Sequence, residues 1–220
     1  MHHRSMQRFL FSLATTCLLA TSAASVLAAE PKAEASPLLF NGKTLEGWKI
    51  TEFAGKGEVK VEKGELIFRA GEMLTGVTFT NPIPTMSYEI SLEAMKLDGN
   101  DFFCGLTFPV DKSHATWVVG GWGGSVVGIS NIDGQSAVEN DTTRHLGFDK
   151  NKWYALRLRV TPGRIEAWID KEKMVDLETQ GRRIGMRIGE IELNVPLGLA
   201  AWQTSASIRN LKLTTIPSAK

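Results

Sequence analysis

The sequence predicts an all-β protein, a sandwich or a barrel. Two observations carry this and a third narrows it. Helical periodicity is weak after residue 37, whereas short segments that alternate polar and apolar residues are frequent. Turn residues separate those segments every ~8–12 positions, and roughly ten to twelve strands result. No repeat of fixed period is present, which argues against a propeller or a solenoid.

Residues 1–28 read as an export signal rather than as part of the fold. Arg4 and Arg8 precede an apolar run from Phe9 to Ala20, and small residues around Val26 and Ala28 suit cleavage. The run is shorter than the ~20 apolar residues a spanning helix needs, so no membrane insertion is expected after cleavage. Residues 29–37, rich in Pro and Ala, form a linker, and residues 38–216 form one domain. The expected location is periplasmic or secreted.

The elements follow in order. In "LLFNGKTLEGW" the turn dipeptide Asn41-Gly42 is flanked by the anchors Leu39, Phe40, Leu45 and Trp48. "GELIFRAG" places Leu66 and Phe68 on one face. "SYEISLEAMKL" alternates Tyr88, Ile90, Leu92 and Ala94 against Glu89, Ser91, Glu93 and Met95. "DFFCGLTFPV" follows the turn "LDGND". "WYALRLRVT" turns Leu156, Leu158 and Val160 inward and Arg157 and Arg159 outward. The turn Pro162-Gly163 then returns the chain through "RIEAWID", with Ile165, Ala167 and Ile169 inward, which makes a hairpin. "KMVDL", "GEIELNV", "PLGLAAWQ" and "ASIRNLKLTTI" complete the domain. Trp48 and Trp153 are expected in the core.

Composition excludes several classes. With 25 basic and 24 acidic residues the net charge is +1, so nucleic acid is a poor partner. Once residues 1–28 are removed, Cys104, His114 and His145 are the remaining cysteine and histidines. An internal disulfide and a Cys/His zinc cluster are then impossible by count. Cys104, between Phe103 and Gly105 in a strand, reads as buried and inert.

At this point "LFNGKTLEGW", "MSYEISLEAMK", "NKWYALRLRVTPGRIEAWIDKEKMVD" and "PLGLAAWQTSASIRNLKL" together resemble one family. It is the 3-keto-α-glucoside 1,2-lyase/3-keto-2-hydroxy-glucal hydratase domain, also called 3-keto-disaccharide hydrolase. The closing motif is carried by Gly198, Gln203, Arg209 and Asn210. The resemblance covers most of residues 38–215. It implies a two-sheet antiparallel jelly-roll sandwich of the concanavalin A-like, laminin-G-like type. It also implies a carbohydrate ligand and elimination or hydrolysis of 3-keto-glycosides. The middle section departs: "NDFFCGLTFPV" stands for the family's "NSG" strand, and the usual acid after Tyr is missing. The family's catalytic residues therefore do not transfer position by position. The alternative is a non-catalytic glycan-binding or laminin-G-like adhesion module.

The departing stretch is "WVVGGWGGSVVGISNIDG", Trp117–Gly134. It is no dinucleotide loop, because Val126 stands where a G-x-G-x-x-G pattern needs its last glycine and no helix follows. It reads as two strands joined at "GWGG", with Trp122 at the tip, leading into the polar segment Ser130–His145. Sugars need flat rings against their C–H faces and planar polar groups for their hydroxyls. Trp117, Trp122, Trp168 and Trp202 are candidates for the rings; each has packing as its alternative. Asn131, Asn140, Arg144 and Gln203 are candidates for hydroxyl contacts. Removing a proton α to a ketone needs a base with a pKa near neutrality, which points to His145 or His114, then to Glu139 or Asp133. A divalent metal ion could use Asp133, Asp141 and His145, although their spacing matches no recognised motif. The bland alternative for the polar segment is a solvated loop.

Overall fold

The computed structural model describes residues 38–217; the expected export signal and linker lie outside the described residues. Fourteen strands are present: β1 (Trp48–Ile50), β2 (Val59–Glu62), β3 (Glu65–Phe68), β4 (Leu74–Phe79), β5 (Tyr88–Asp98), β6 (Cys104–Val110), β7 (Ser113–Gly121), β8 (Val126–Ser130), β9 (Arg144–His145), β10 (Trp153–Thr161), β11 (Arg164–Ile169), β12 (Glu172–Glu178), β13 (Leu197–Trp202) and β14 (Ser205–Thr215). The one helical piece among the described residues is a 3-10 turn at Glu190–Asn194. The strands make two antiparallel seven-stranded sheets. The front sheet runs β1-β4-β13-β6-β7-β8-β9 and the back sheet β12-β11-β10-β5-β14-β3-β2. The expected jelly-roll sandwich is the observed fold.

The core lies between the sheets. Tyr88, Ile90, Leu92, Leu156, Leu158, Val160, Ile165 and Ile208 from the back sheet meet Val77, Phe79, Leu106, Phe108, Trp117, Val119, Ile129 and Leu199 from the front. Alternation builds the back sheet as expected: β5 is buried at every second residue, and β10 pairs with β11 through Thr161 and Arg164 around the Pro162-Gly163 turn. Its outer face neutralises itself. Glu89 receives Arg157 and Arg159, and Glu93 receives Arg209 and Asn210. Trp153 is a correction: it shares strand parity with the arginines and lies outside, under the Arg209 guanidinium at 4.0 Å. Trp48 is in the core, its indole N–H donating to the Leu39 carbonyl at 2.7 Å.

The front sheet behaves differently, because β4, β6 and β8 are buried on both faces. Their outer residues are small or aliphatic (Gly76, Gly105, Val126, Gly128), and chain segments pack over them. One is the 3-10 turn. Its Asn194 is fully buried and accepts the hydroxyls of Thr51 and Thr78 at 2.8 and 3.2 Å. Gly198 of β13 makes room for it: a methyl group there would sit 2.5 Å from the Asn194 carboxamide carbon. Gly198→Ala is therefore expected to destabilise the domain by about 1–3 kcal/mol, read as a lowered thermal midpoint.

Candidate functional site

The outer face of the front sheet carries a pocket of about 450 Å³, within the ~300–1,000 Å³ range of ligand sites. Its floor is the sheet itself: Thr116 and Val118 of β7, Ser130 of β8 and Leu74 of β4. One wall is Asp101 and Phe102, from the loop between β5 and β6. The Thr204 hydroxyl accepts the Asp101 N–H and donates to its carbonyl, and Trp202 N–H donates to the Phe102 carbonyl at 3.0 Å. That wall is thus pinned to the β13–β14 turn and to the end of β13, where Trp202 also lines the pocket. The opposite wall is Arg187–Ile191, where Glu190 accepts the Ala54 N–H at 3.1 Å with both oxygens. The β7–β8 turn supplies Trp122, and the Arg187 guanidinium lies 5.7 Å from its ring centre.

Trp122 sits at φ 47, in the left-handed region. A bulky residue there costs roughly 1–3 kcal/mol, and such strain gathers at functional sites. Glycine, which flanks it on both sides, would adopt that conformation more easily. The turn therefore carries an indole where local conformation favours none. The indole is also 38 % exposed at the mouth of the pocket.

Of the expected site residues, Trp122 and Trp202 line the pocket, and Gln203 supports it by donating to the Glu72 carbonyl at 2.8 Å beside the pocket-lining Met73. The others lie elsewhere. Trp117 is fully buried between the sheets, out of reach of a surface ligand. Trp168 is on the back sheet beneath Arg157, whose guanidinium lies 3.7 Å from the ring centre. Asn140 is buried and organises its own loop, donating to the carbonyls of Ile129, Gln135 and Ser136. Asn131 pairs with Gly185 through the backbone and donates to the Met186 carbonyl. Arg144 donates to the carbonyls of Asp141 and Thr143 on the exposed β9 edge.

The candidate bases do not converge. His114 pairs across from Pro109, whereas His145 pairs with Val126 opposite the far end of β7. The length of β7 from His114 to Gly121 separates those positions by about 20 Å at ~3.3 Å per residue. Burial pushes the His114 imidazole below its usual value, and His145 is exposed. Neither lines the pocket. Hydrogen bonds from Ser136 hold the Glu139 carboxyl below the usual carboxylate range. The Arg183 N–H and the Arg182 guanidinium do the same for Asp133. Asp141 is lowered by Arg182, which grips both of its oxygens at 2.9 and 3.1 Å. Arg182 thus already occupies oxygens of both carboxylates considered for a metal ion. Among the described residues no group of three His, Cys, Asp or Glu side chains is placed to hold a metal. Burial raises the Cys104 thiol to about 12, so this cysteine stays protonated. Asp101, Phe102, Arg187 and Glu190 were not singled out in the sequence, because they come together only across the fold.

The fold is shared with solved carbohydrate-active proteins. The carbohydrate-binding module CBM66 from Bacillus subtilis superposes with a TM-score of 0.53 at 15 % identity, covering 77 % of this chain and 96 % of the module. A β-1,3-glucanase from Mycobacterium marinum gives 0.50 at 12 % identity over 82 % and 100 % of the two chains. A Crh5 transglycosylase gives 0.52 at 12 % identity over 84 % of each. These likenesses place the architecture among the jelly rolls of carbohydrate-binding modules and glycosyl hydrolases. Residues 36–214 match the model of the 3-keto-alpha-glucoside-1,2-lyase-like domain, and the chain belongs to that carbohydrate-active family. No curated protein matches the sequence significantly.

The strain at Trp122 yields a test that separates binding from folding. Trp122→Gly is expected to leave the thermal midpoint unchanged or higher, since glycine relaxes the turn. Affinity for a carbohydrate ligand is expected to fall tenfold or more, by titration calorimetry.

Proposed function

We propose that the protein binds a 3-keto-glycoside in the front-sheet pocket and eliminates its C1 substituent. The observation that carries this is one pocket, in a chain of this family, that joins aromatic rings to carboxylates and a guanidinium. Trp122, Phe102 and Trp202 supply the rings, Asp101 and Glu190 the acids, and Arg187 the cation.

The chemistry follows from these groups. The ketone at C3 acidifies the hydrogen on C2. Asp101, fixed by its backbone bonds to Thr204, takes that proton. Arg187 donates hydrogen bonds to the oxygen that becomes an enolate, where preorganised charge lowers the barrier most. The electron pair then forms the C1–C2 double bond, restores the ketone and expels the C1 oxygen, which leaves as an alcohol after taking a proton from Glu190 or water. General-base catalysis contributes typically ~10²–10⁴-fold. Asp101→Asn should therefore lower kcat at least a hundredfold while leaving ligand affinity within a few-fold, measured by release of the aglycone from 3-keto-glucosides.

A second reading is a glycan-binding module without turnover. It is favoured by the absence of histidine among the pocket-lining residues and by the shared fold with CBM66. Binding of 3-keto-glucosides with no aglycone release would establish it. The reading also includes export through residues 1–28; sequencing the mature N-terminus from producing cells tests that, and a chain still beginning at Met1 would contradict it.

A further inference from the structure

We propose that the mouth of this pocket is a subsite for an apolar aglycone. The substrate class would then be a glucoside whose departing group presents hydrocarbon, rather than a second sugar, to the protein. This rests on reading the pocket as a carbohydrate site and deepens it.

The exposed rim of the pocket is mainly apolar, whereas its floor mixes Leu74 and Val118 with hydroxyls. The deep residues include two hydroxyls, Thr116 and Ser130, each 3 % exposed, with Asp101 and Glu190 half-buried on the walls above them. The mouth is different. Among the described residues six large hydrophobic side chains are exposed, and three of them, Met73, Trp122 and Ile188, line this pocket. They arrive from separate segments: the loop before β4, the β7–β8 turn and the strap after β12. Single exposed hydrophobic residues are ordinary, but convergence of three around one concave site marks a surface that something apolar covers.

Ile188 is the most telling. Its side chain is 91 % exposed, between Arg187 and Gly189, and local packing does not account for it. Gly189 has φ 135 and open space beyond its α-carbon, so the strap there is shaped by backbone freedom and not by side-chain burial. A sugar ring stacks on flat faces and needs hydrogen-bonding partners around its edge. Met73 and Ile188 offer neither a flat face nor a polar atom beyond a thioether. They suit alkyl or aryl carbon. Met73, Trp122 and Ile188 line a concave pocket of about 450 Å³, a space that suits a small alkyl or aryl group.

The test uses 3-keto-glucosides with methyl, propyl and hexyl aglycones, whose departing alcohols have nearly equal acidity. Affinities are measured by titration calorimetry and turnover is followed on the same compounds. Affinity is expected to rise by up to about fourfold per methylene, with the hexyl compound at least tenfold tighter than the methyl. Ile188→Ser and Met73→Ser, both at exposed positions, are each expected to cut that rise by threefold or more. Equal affinities across the series, no binding of any member, or a rise untouched by both substitutions would each overturn the subsite. A flat series with turnover retained removes the subsite and leaves the lyase reading. A steep series without turnover removes the lyase reading and leaves the subsite.

Discussion

Asn194 turns its carboxamide oxygen toward the hydroxyls of Thr51 and Thr78, in a fully buried position against Gly198. Buried polar groups are costly unless paired, and each such bond contributes about 1 kcal/mol once made. This contact fixes the end of the 3-10 turn on the outer face of the front sheet. The strap before it, which carries Arg187, Ile188 and Glu190, is thereby held beside β7 and β8. The pocket exists because a chain segment is tied across a sheet face that would otherwise be open.

The two sheet faces solve the same problem differently. The outer face of the back sheet is wet and cancels its own charges, with Glu89, Glu93 and Asp176 each engaged by basic side chains. The outer face of the front sheet is built from small residues, so covering segments approach closely and leave a concave space. The family's recurring motifs divide along this line. Glu93, Arg209 and Asn210 hold neighbouring strands of the back sheet together, whereas Gly198 and Gln203 shape the walls of the pocket.

Much of the fold was legible because its signals are local. Alternation in β5 and β10, the Pro162-Gly163 turn and the Trp48 anchor each depend on a few adjacent residues. Parity would also have placed Trp153, since it stands in register with Arg157 and Arg159. The face of Trp117 was harder to read, because Val118 shares the opposite face of β7 with His114 and Thr116 and the glycines after it carry no parity signal. The candidate site was half legible. Trp122 stood out between its glycines and Trp202 among the rings. Asp101, Arg187 and Glu190 did not, because only the strap crossing the front sheet brings positions 101 and 190 to one space. The polar segment Ser130–His145 drew attention by composition, yet its acids and amides are largely spent on holding the loop together through Arg182, Ser136 and backbone carbonyls.

Ligand binding on the outer face of the front sheet can be observed directly. The most direct measurement is backbone NMR shift mapping on titration with a 3-keto-glucoside. Perturbations are expected to centre on residues 101–102, 116–122 and 187–191, with the back-sheet residues Arg157, Trp168 and Arg209 unmoved. Perturbations centred on Trp168, or on the Asp133–His145 loop with residues 187–191 silent, would contradict binding on that face.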